Sequence, residues 1–395
     1  PMLPIAWARR LPLYQKQAVL AQAEDQIAQW RRAGAMFSWP AYEGETELAA
    51  VTAIADLPKQ AYPSAPSVLQ SLQGKLALEQ IADRPVPLSA PQLRGGASAF
   101  THQSLCPFRG FVRVRLGVRS LEEGHGGLNA RERGIVLHRA LQNFWQAFAP
   151  EQRTQGSLLR LSAQERSERI TQAVERALHK LQTTRALTLS GRFLAHEQMR
   201  LQQALEKLIA LDLDPARAAF TLIEIEDRRK VEFAGLQLNV QRDRVEEIDG
   251  HGRVVMDYKT GLVSASNWHG DRPKDLQLPL YAVLEAREGH ALAGVLFAQF
   301  REGDWKFAGE VSTAGLFPTR AQSKRKPLDF SEALPAWESA LNALADELRQ
   351  GVARVDPQAS ACQFCGLQAA CRIDPWQQDE DVQVGSGDSE MEAFA

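Results

Sequence analysis

The stretch VVMDYKTG (254–261) is apolar like a buried strand, yet it carries Asp257 and Lys259 two positions apart. Side chains alternate along a strand, so these two share one face while Val254, Met256 and Tyr258 share the other. An acid and an amine on a half-buried face are costly unless they are paired or functional. The plain alternative is a structural ion pair, and the decision rests on what surrounds the stretch.

Upstream runs a second strand pattern, VEFAGLQLNVQRDRVEEI (231–248), and DGHG (249–252) reads as the turn between them. A hairpin centred on Gly250 opposes Asp243 to Asp257, seven positions to either side. Directly opposed residues of an antiparallel pair put their side chains on one face, and two carboxylates there repel. A divalent cation removes the repulsion, and Mg²⁺ suits one or two carboxylates plus water and phosphate oxygens. Lys259 beside them could orient or deprotonate a water, or hold a phosphate. These are the parts of a metal-dependent phosphodiester hydrolase. A turn on Gly250 and His251 instead sets Asp243 opposite Tyr258 and separates the acids.

An acid on one strand followed by D-x-K on the next resembles the PD-(D/E)XK nuclease superfamily. Two further elements resemble its RecB-like branch: GIVLH (134–138) on a helix before the strands, and QLPLY (277–281) on a helix after them. The resemblance implies a central mixed sheet flanked by helices, an α/β core of α+β character. It implies His138, Asp243 and Asp257 as metal ligands for Mg²⁺ or Mn²⁺, Lys259 as a catalytic group, and Gln277 and Tyr281 lining the site. His138 on an apolar helix face, and Gln277 and Tyr281 as cap and core, are the plain alternatives. Glu226, in LIEIEDRR, is a weaker further polar candidate.

The chain has four cysteines, Cys106, Cys362, Cys365 and Cys371. Four thiols in a reduced compartment point to a metal centre more than to disulfides, and spacing leaves zinc and iron–sulfur both open. One cysteine before the core and three after it, with CPFRGFVRVRLG (106–117) around the first, resembles the iron-staple nucleases of AddB type, which implies a [4Fe–4S] cluster. Arg109, Arg113 and Arg115 in that stretch are candidate DNA contacts; a solvated basic face is the alternative.

Net charge is −2, which by itself argues against a generic nucleic-acid binder, but it is unevenly placed. Seven acids and no Lys or Arg lie in 374–395, so the first 373 residues are left at +5. Three segments are expected: 1–97, a helical piece and linker resembling the end of an inactivated helicase-like region; 98–373, the nuclease domain; and 374–395, a disordered acidic tail. A helix is expected over 13–32, a short strand over 34–40, another short helix over 67–82, and a strand over 294–300. The absence of a long apolar run or a secretory leader makes a cytoplasmic protein the expectation, and the start PMLPIAW reads as a piece of a longer chain. The expected activity is a DNA exonuclease on single strands, in repair or recombination, with a helicase partner and no membrane. The rival is a catalytically silent DNA-binding scaffold with a structural metal centre.

Overall fold

The computed structural model of the chain describes residues 16–43, 46–58, 86–119, 127–185, 190–301, 304–318, 327–363 and 365–373. It divides into two compact units, Pro1–Asp83 and Arg84–Ala395. The first contains helix α1 (Lys16–Arg32) and two short strands, β1 (Tyr42–Glu43) and β2 (Thr46–Glu47), paired antiparallel. The Arg31 guanidinium forks onto Asp56 at 3.0 and 2.5 Å. The strand expected over 34–40 is absent: Gly34 turns at φ 72°, and Pro40 offers no N–H to a ladder. The helix expected at 67–82 and the acidic tail lie outside the described residues.

The second unit opens with α2 (Ala97–Leu105), α3 (Pro107–Gly110) and a wide turn at Phe111–Arg115. Four helices follow: α4 (Ala130–Gln146), α5 (Gln155–Arg160), α6 (Ala163–Arg185) and α7 (Gly191–Asp212). Asn129 and Glu132 close the start of α4 with a reciprocal capping box, at 2.8 and 3.0 Å. Next come β3 (Thr221–Phe233), β4 (Leu236–Ile248) and β5 (Gly252–Lys259), then α8 (Gln277–Arg287), β6 (Leu292–Arg301), β7 (Asp304–Val311), α9 (Phe330–Gln350) and α10 (Gln368–Cys371). The five strands form one sheet in the order β3-β4-β5-β6-β7. All pairs are antiparallel except β5–β6, whose parallel pairing requires the crossover that α8 supplies.

Helices cover both faces. Val254, Met256 and Tyr258 of β5 pack with α4, α6 and α7. Val255, in the same strand, packs with α2, α8 and α9 on the other face. This is the three-layer α/β core expected from the sequence, with β7 as an added edge strand.

Strands β3 and β4 change faces part-way along. Val240 packs in the α8 layer and Arg242 pairs with Glu285 of α8, whereas Arg244 pairs with Asp212 of α7. In β3, Ile225 packs toward the α7 side while Asp227 stands opposite Arg242. Period-two alternation cannot place 242 and 244 on opposite faces, so the ladder kinks between them. The kink falls at Asp243 and, across the pair, at Glu226, whose φ of +50° is a left-handed backbone rare for its type.

Below the α7-side layer lies a buried charge tetrad. Arg217 donates to both Glu246 oxygens at 2.7 and 2.6 Å and also pairs with Asp212. Arg244 reaches Asp212 at 2.8 Å and pairs with Glu246. Both guanidiniums lie on aromatic faces, Arg217 4.2 Å and Arg244 4.9 Å from the Phe220 ring centre.

The C-terminal strap returns to the start of the unit. The Gln358 N–H bonds the Leu105 carbonyl at 2.9 Å, and the Phe108 N–H bonds the Arg354 carbonyl at 3.0 Å. Gln358 Nε2 donates to the Ser104 carbonyl at 2.7 Å, and Arg272 Nη2 reaches the same oxygen at 2.7 Å. Gly110 allows α2 and α3 to close on each other: a Cβ there would stand 2.8 Å from the Gln103 Cα.

Candidate active site

The hairpin of β4 and β5 turns at Asp249–His251 and pairs Ile248 with Gly252, Val245 with Val255 and Arg244 with Met256. That is the register centred on Gly250. The next pair in line is Asp243 with Asp257, and there the ladder stops. The Tyr258 N–H, left without a strand partner, donates to Asp243 Oδ2 at 2.8 Å. The sheet therefore forks at the two acids, and one of them caps the open end.

Three elements converge on the fork. From α4, His138 Nδ1 lies 2.9 Å from Glu226 Oε1 and 3.4 Å from Asp243 Oδ1, and its Nε2 lies 3.2 Å from the Tyr258 carbonyl. Ligand atoms of His138, Glu226 and Asp243 all lie within 4.8 Å of one another. From β5, Asp257 is 2 % exposed, and Lys259 Nζ stands 2.8 Å from its Oδ2. From α8, Gln277 links the last two: its Nε2 donates to Asp257 Oδ1 at 2.6 Å, and its Oε1 accepts from Lys259 Nζ at 3.0 Å. Tyr281, one turn further along α8, is buried.

The charges are strongly coupled. Burial and then the neighbouring Asp243 push the Asp257 carboxyl up to about 8, against the opposing pull of Lys259. Burial also opposes ionisation of Asp243, but hydrogen bonding and charge from His138 outweigh it and hold its pKa below the usual carboxylate range. Burial disfavours a charged His138, yet Asp243 and Glu226 overcome it and raise its pKa to about 11. Burial likewise opposes a charged Lys259, and Asp257 reverses this and keeps the ammonium. Burial and the two aspartates hold the Tyr281 phenol above its ordinary range.

These residues fit a divalent cation. Oxygen donors from two or three acids converge with one imidazole, and Asp257 Oδ2 is buried without an aligned hydrogen bond. His138 must shed its proton to ligate, so loading the site releases protons. Glu226 received little weight from the sequence, although it provides one of the closest ligand atoms; an acid at a kinked strand position has no periodicity to announce it.

The family model for the PD-(D/E)XK nuclease superfamily matches residues 97–372. The chain belongs to the PD-(D/E)XK nuclease superfamily. Its members are in general nucleases that use divalent metals, and the five-stranded mixed sheet flanked by helices fits that fold. No curated protein matches the chain. Among solved structures, the crystal structure of SSO0001 is similar at 12 % identity and a TM-score of 0.20, over 60 % of this chain and 94 % of that one. So distant a likeness carries no argument.

The remaining sequence candidates lie under the strap. Arg109 Nη1 donates to the Ala361 carbonyl at 3.4 Å, and Arg113 Nη2 to the Cys365 carbonyl at 2.9 Å. Arg115 Nη2 reaches the Pro87 carbonyl at 2.8 Å. All three guanidiniums thus tie backbone segments together. Of the four cysteines, Cys106 and Cys365 are buried and Cys362 and Cys371 half-buried. Cys365 packs with Val112 and Leu367 against Phe108 and Phe111, next to the turn that follows Cys106. Among the described residues no helix is long and apolar enough to cross a membrane.

Gln277 is the joint between acid and amine. Replacing it by leucine keeps the volume and removes both hydrogen bonds, so kcat is expected to fall about 10–100-fold with little change in melting temperature. A Gln277→Leu enzyme with parental kcat would show that Lys259 and Asp257 hold their places without it.

Proposed function

We propose that the chain is a divalent-metal-dependent deoxyribonuclease of the RecB/AddB kind, an exonuclease on single-stranded DNA working in repair or recombination. The observation that carries the reading is the fork: His138, Glu226 and Asp243 within ligand distance of one another, with Asp257, Lys259 and Gln277 tied together beside them. When bound, a cation supplies charge neutralisation for the scissile phosphate and a more acidic water. The chain's residues do the rest. His138, Asp243 and Asp257, with Glu226, would hold the cation. Lys259, paired with Asp257, positions the attacking water or stabilises the charge that develops on the phosphate. Gln277 fixes the angle between them, and Tyr281 walls the pocket.

Single strands are favoured by depth. Asp243 and Asp257 are 5 % and 2 % exposed, so a phosphodiester must descend into the fork. A flexible strand does this more readily than a stiff duplex. A helicase subunit, or a helicase-like region of a longer chain, is the natural supplier of such strands. What supports a [4Fe–4S] staple on the four cysteines is the strap, which brings Cys365 against Phe108 and Phe111 in the segment that follows Cys106. His102 Nδ1 and Arg109 Nε, on either side of Cys106, are buried without partners. Burial and then the charges of Arg109 and Arg113 drive the His102 pKa down to about 4, so its ring is neutral. Such a cluster, when bound, clips the domain's two ends together.

The test is cleavage of end-labelled oligodeoxynucleotides by anaerobically purified protein. Mg²⁺ or Mn²⁺ supports stepwise shortening of single strands, and EDTA abolishes it. A brown protein with broad visible absorbance accompanies the staple; a colourless one with a bound zinc refutes it. Absence of metal-dependent cleavage on single and double strands alike overturns the nuclease reading.

A further inference from the structure

Beside the fork opens a cavity of about 610 Å³, walled by α4, α6, β3 and β4. His138 and Glu226 stand on its inner side, and Arg131, Arg139, Lys180 and Arg228 surround the rest. A second cavity, of about 440 Å³, continues along β3. The two share Arg228 and Gln241, and the second adds Lys230. Among the residues lining either one, Glu226 is the only acid. A hydrogen-bond chain joins this basic track to the fork: Arg228 Nε donates to Gln241 Oε1 at 2.8 Å, Gln241 donates to Glu226, and Glu226 meets His138. Among the described residues Arg139 makes no hydrogen bond or ion pair, so its charge is unspent.

Gly134 lines the same cavity, one helical turn before His138 and on the same face. Glycine weakens a helix interior relative to alanine and needs a reason. Neither usual reason applies. Its φ is not positive, and a Cβ built there meets nothing within 4 Å. The only thing a side chain would enter is the cavity.

Resting on the nuclease reading above, we propose that this cleft seats the substrate strand on one side of the scissile phosphate. Arg131, Arg139, Lys180 and Arg228 take its phosphates, and Gly134 keeps the entry to His138 open. Cations on three separate elements, spread over two cavities that share Arg228 and Gln241, suit a chain of phosphates better than one anion. With no aromatic ring other than His138 lining the track, the strand is held by its backbone and without base preference.

The experiment compares the parent with Gly134→Leu, Gly134→Ala and Arg139→Gln on oligothymidylates of two and twelve nucleotides in Mn²⁺. Parental kcat/KM rises with length. For Gly134→Leu and Arg139→Gln the loss grows with length, from about twofold or less on the dinucleotide to about tenfold or more on the dodecamer. Gly134→Ala raises the melting temperature by about 2 °C while lowering dodecamer cleavage, a pairing that a structural glycine does not produce. Fluorescence anisotropy of a labelled dodecamer in EDTA reads binding alone. There, Arg139→Gln flattens the plot of log affinity against log salt by about 0.7. Parental cleavage with unchanged variant rates and affinities overturns the cleft and leaves the nuclease standing. A parent that binds the dodecamer without cleaving it, with binding weakened in the variants, sinks the nuclease and keeps the cleft.

Discussion

Asp257→Asn removes phosphodiester cleavage, by about three powers of ten or about 4 kcal/mol of barrier, and leaves the metal-free protein as stable as the parent or more so. Asp257 is buried, faces Asp243 at the open end of the hairpin, and has its carboxyl pushed up to about 8. Asparagine keeps the shape and the acceptor that meets Gln277 Nε2 but ends the repulsion. The pH dependence follows the same logic. The folded-state pKa lies above the ordinary 3.8, so the folded protein holds a proton that the unfolded chain releases first. This contribution to stability is full below about pH 4 and is lost as pH rises toward 8. In EDTA the parent therefore loses stability over that interval relative to Asp257→Asn. A saturating divalent cation stabilises the parent, by about 2.7 kcal/mol at a hundred times Kd, and does much less for the variant. Thermal melts with EDTA and with Mg²⁺, beside a cleavage assay, read all three. Retained cleavage in Asp257→Asn would remove this carboxylate from the chemistry.

Glu246→Ala is the largest expected loss of stability, about 3–5 kcal/mol. Glu246 is fully buried beneath Arg217 and Arg244, and those two charges hold it ionised against the cost of burial. Without it, two guanidiniums share Asp212 alone, in a pocket made of Phe220, Phe307, Phe317 and Trp145. Both guanidiniums are about 1 % exposed, so bulk solvent reaches them poorly. Urea titration of the parent and variant gives the difference, and a loss below about 1 kcal/mol would mean that the tetrad is dispensable. The effect extends to the fork, because Arg244 also neighbours the Tyr258 hydroxyl on the reverse side of the strand that carries Asp257. Raised KM with a lowered melting temperature is therefore expected even in preparations that still fold.

The hairpin was readable because two local rules agree: a glycine-centred turn sets the register, and period-two alternation then places Asp243 and Asp257 together. Gln277 and Tyr281 came from the resemblance to the RecB-like Q-x-x-x-Y helix, and helical spacing adds only that they share a face. Other features had no local signature. Whether β6 joins β5 in parallel is decided by the packing of α8 on the sheet. Strand β7 alternates Trp305, Phe307 and Val311 with Lys306 and Glu310, but its own residues do not say which strand it joins or that it forms the sheet edge. The kink that brings Glu226 to His138 requires a left-handed glutamate, which no propensity announces. Arg109, Arg113 and Arg115 illustrate the converse: a run of cations in sequence resembles a phosphate track, but their hydrogen bonds go to backbone carbonyls of their own chain. Cations better placed for phosphate lie scattered through Arg131, Arg139, Lys180 and Arg228, and only the fold collects them.

The strap also sets a timetable for the growing chain. Ser104 and Leu105 leave the ribosome long before the segment that satisfies them, since Gln358 lies 254 residues after Ser104. At about 5–20 residues per second, the first helix of the domain waits roughly 13–50 s for its cover. Throughout that interval the Cys106 thiol waits without Cys362, Cys365 and Cys371, so the reducing power of the surroundings at the moment of translation bears on the state in which it meets them.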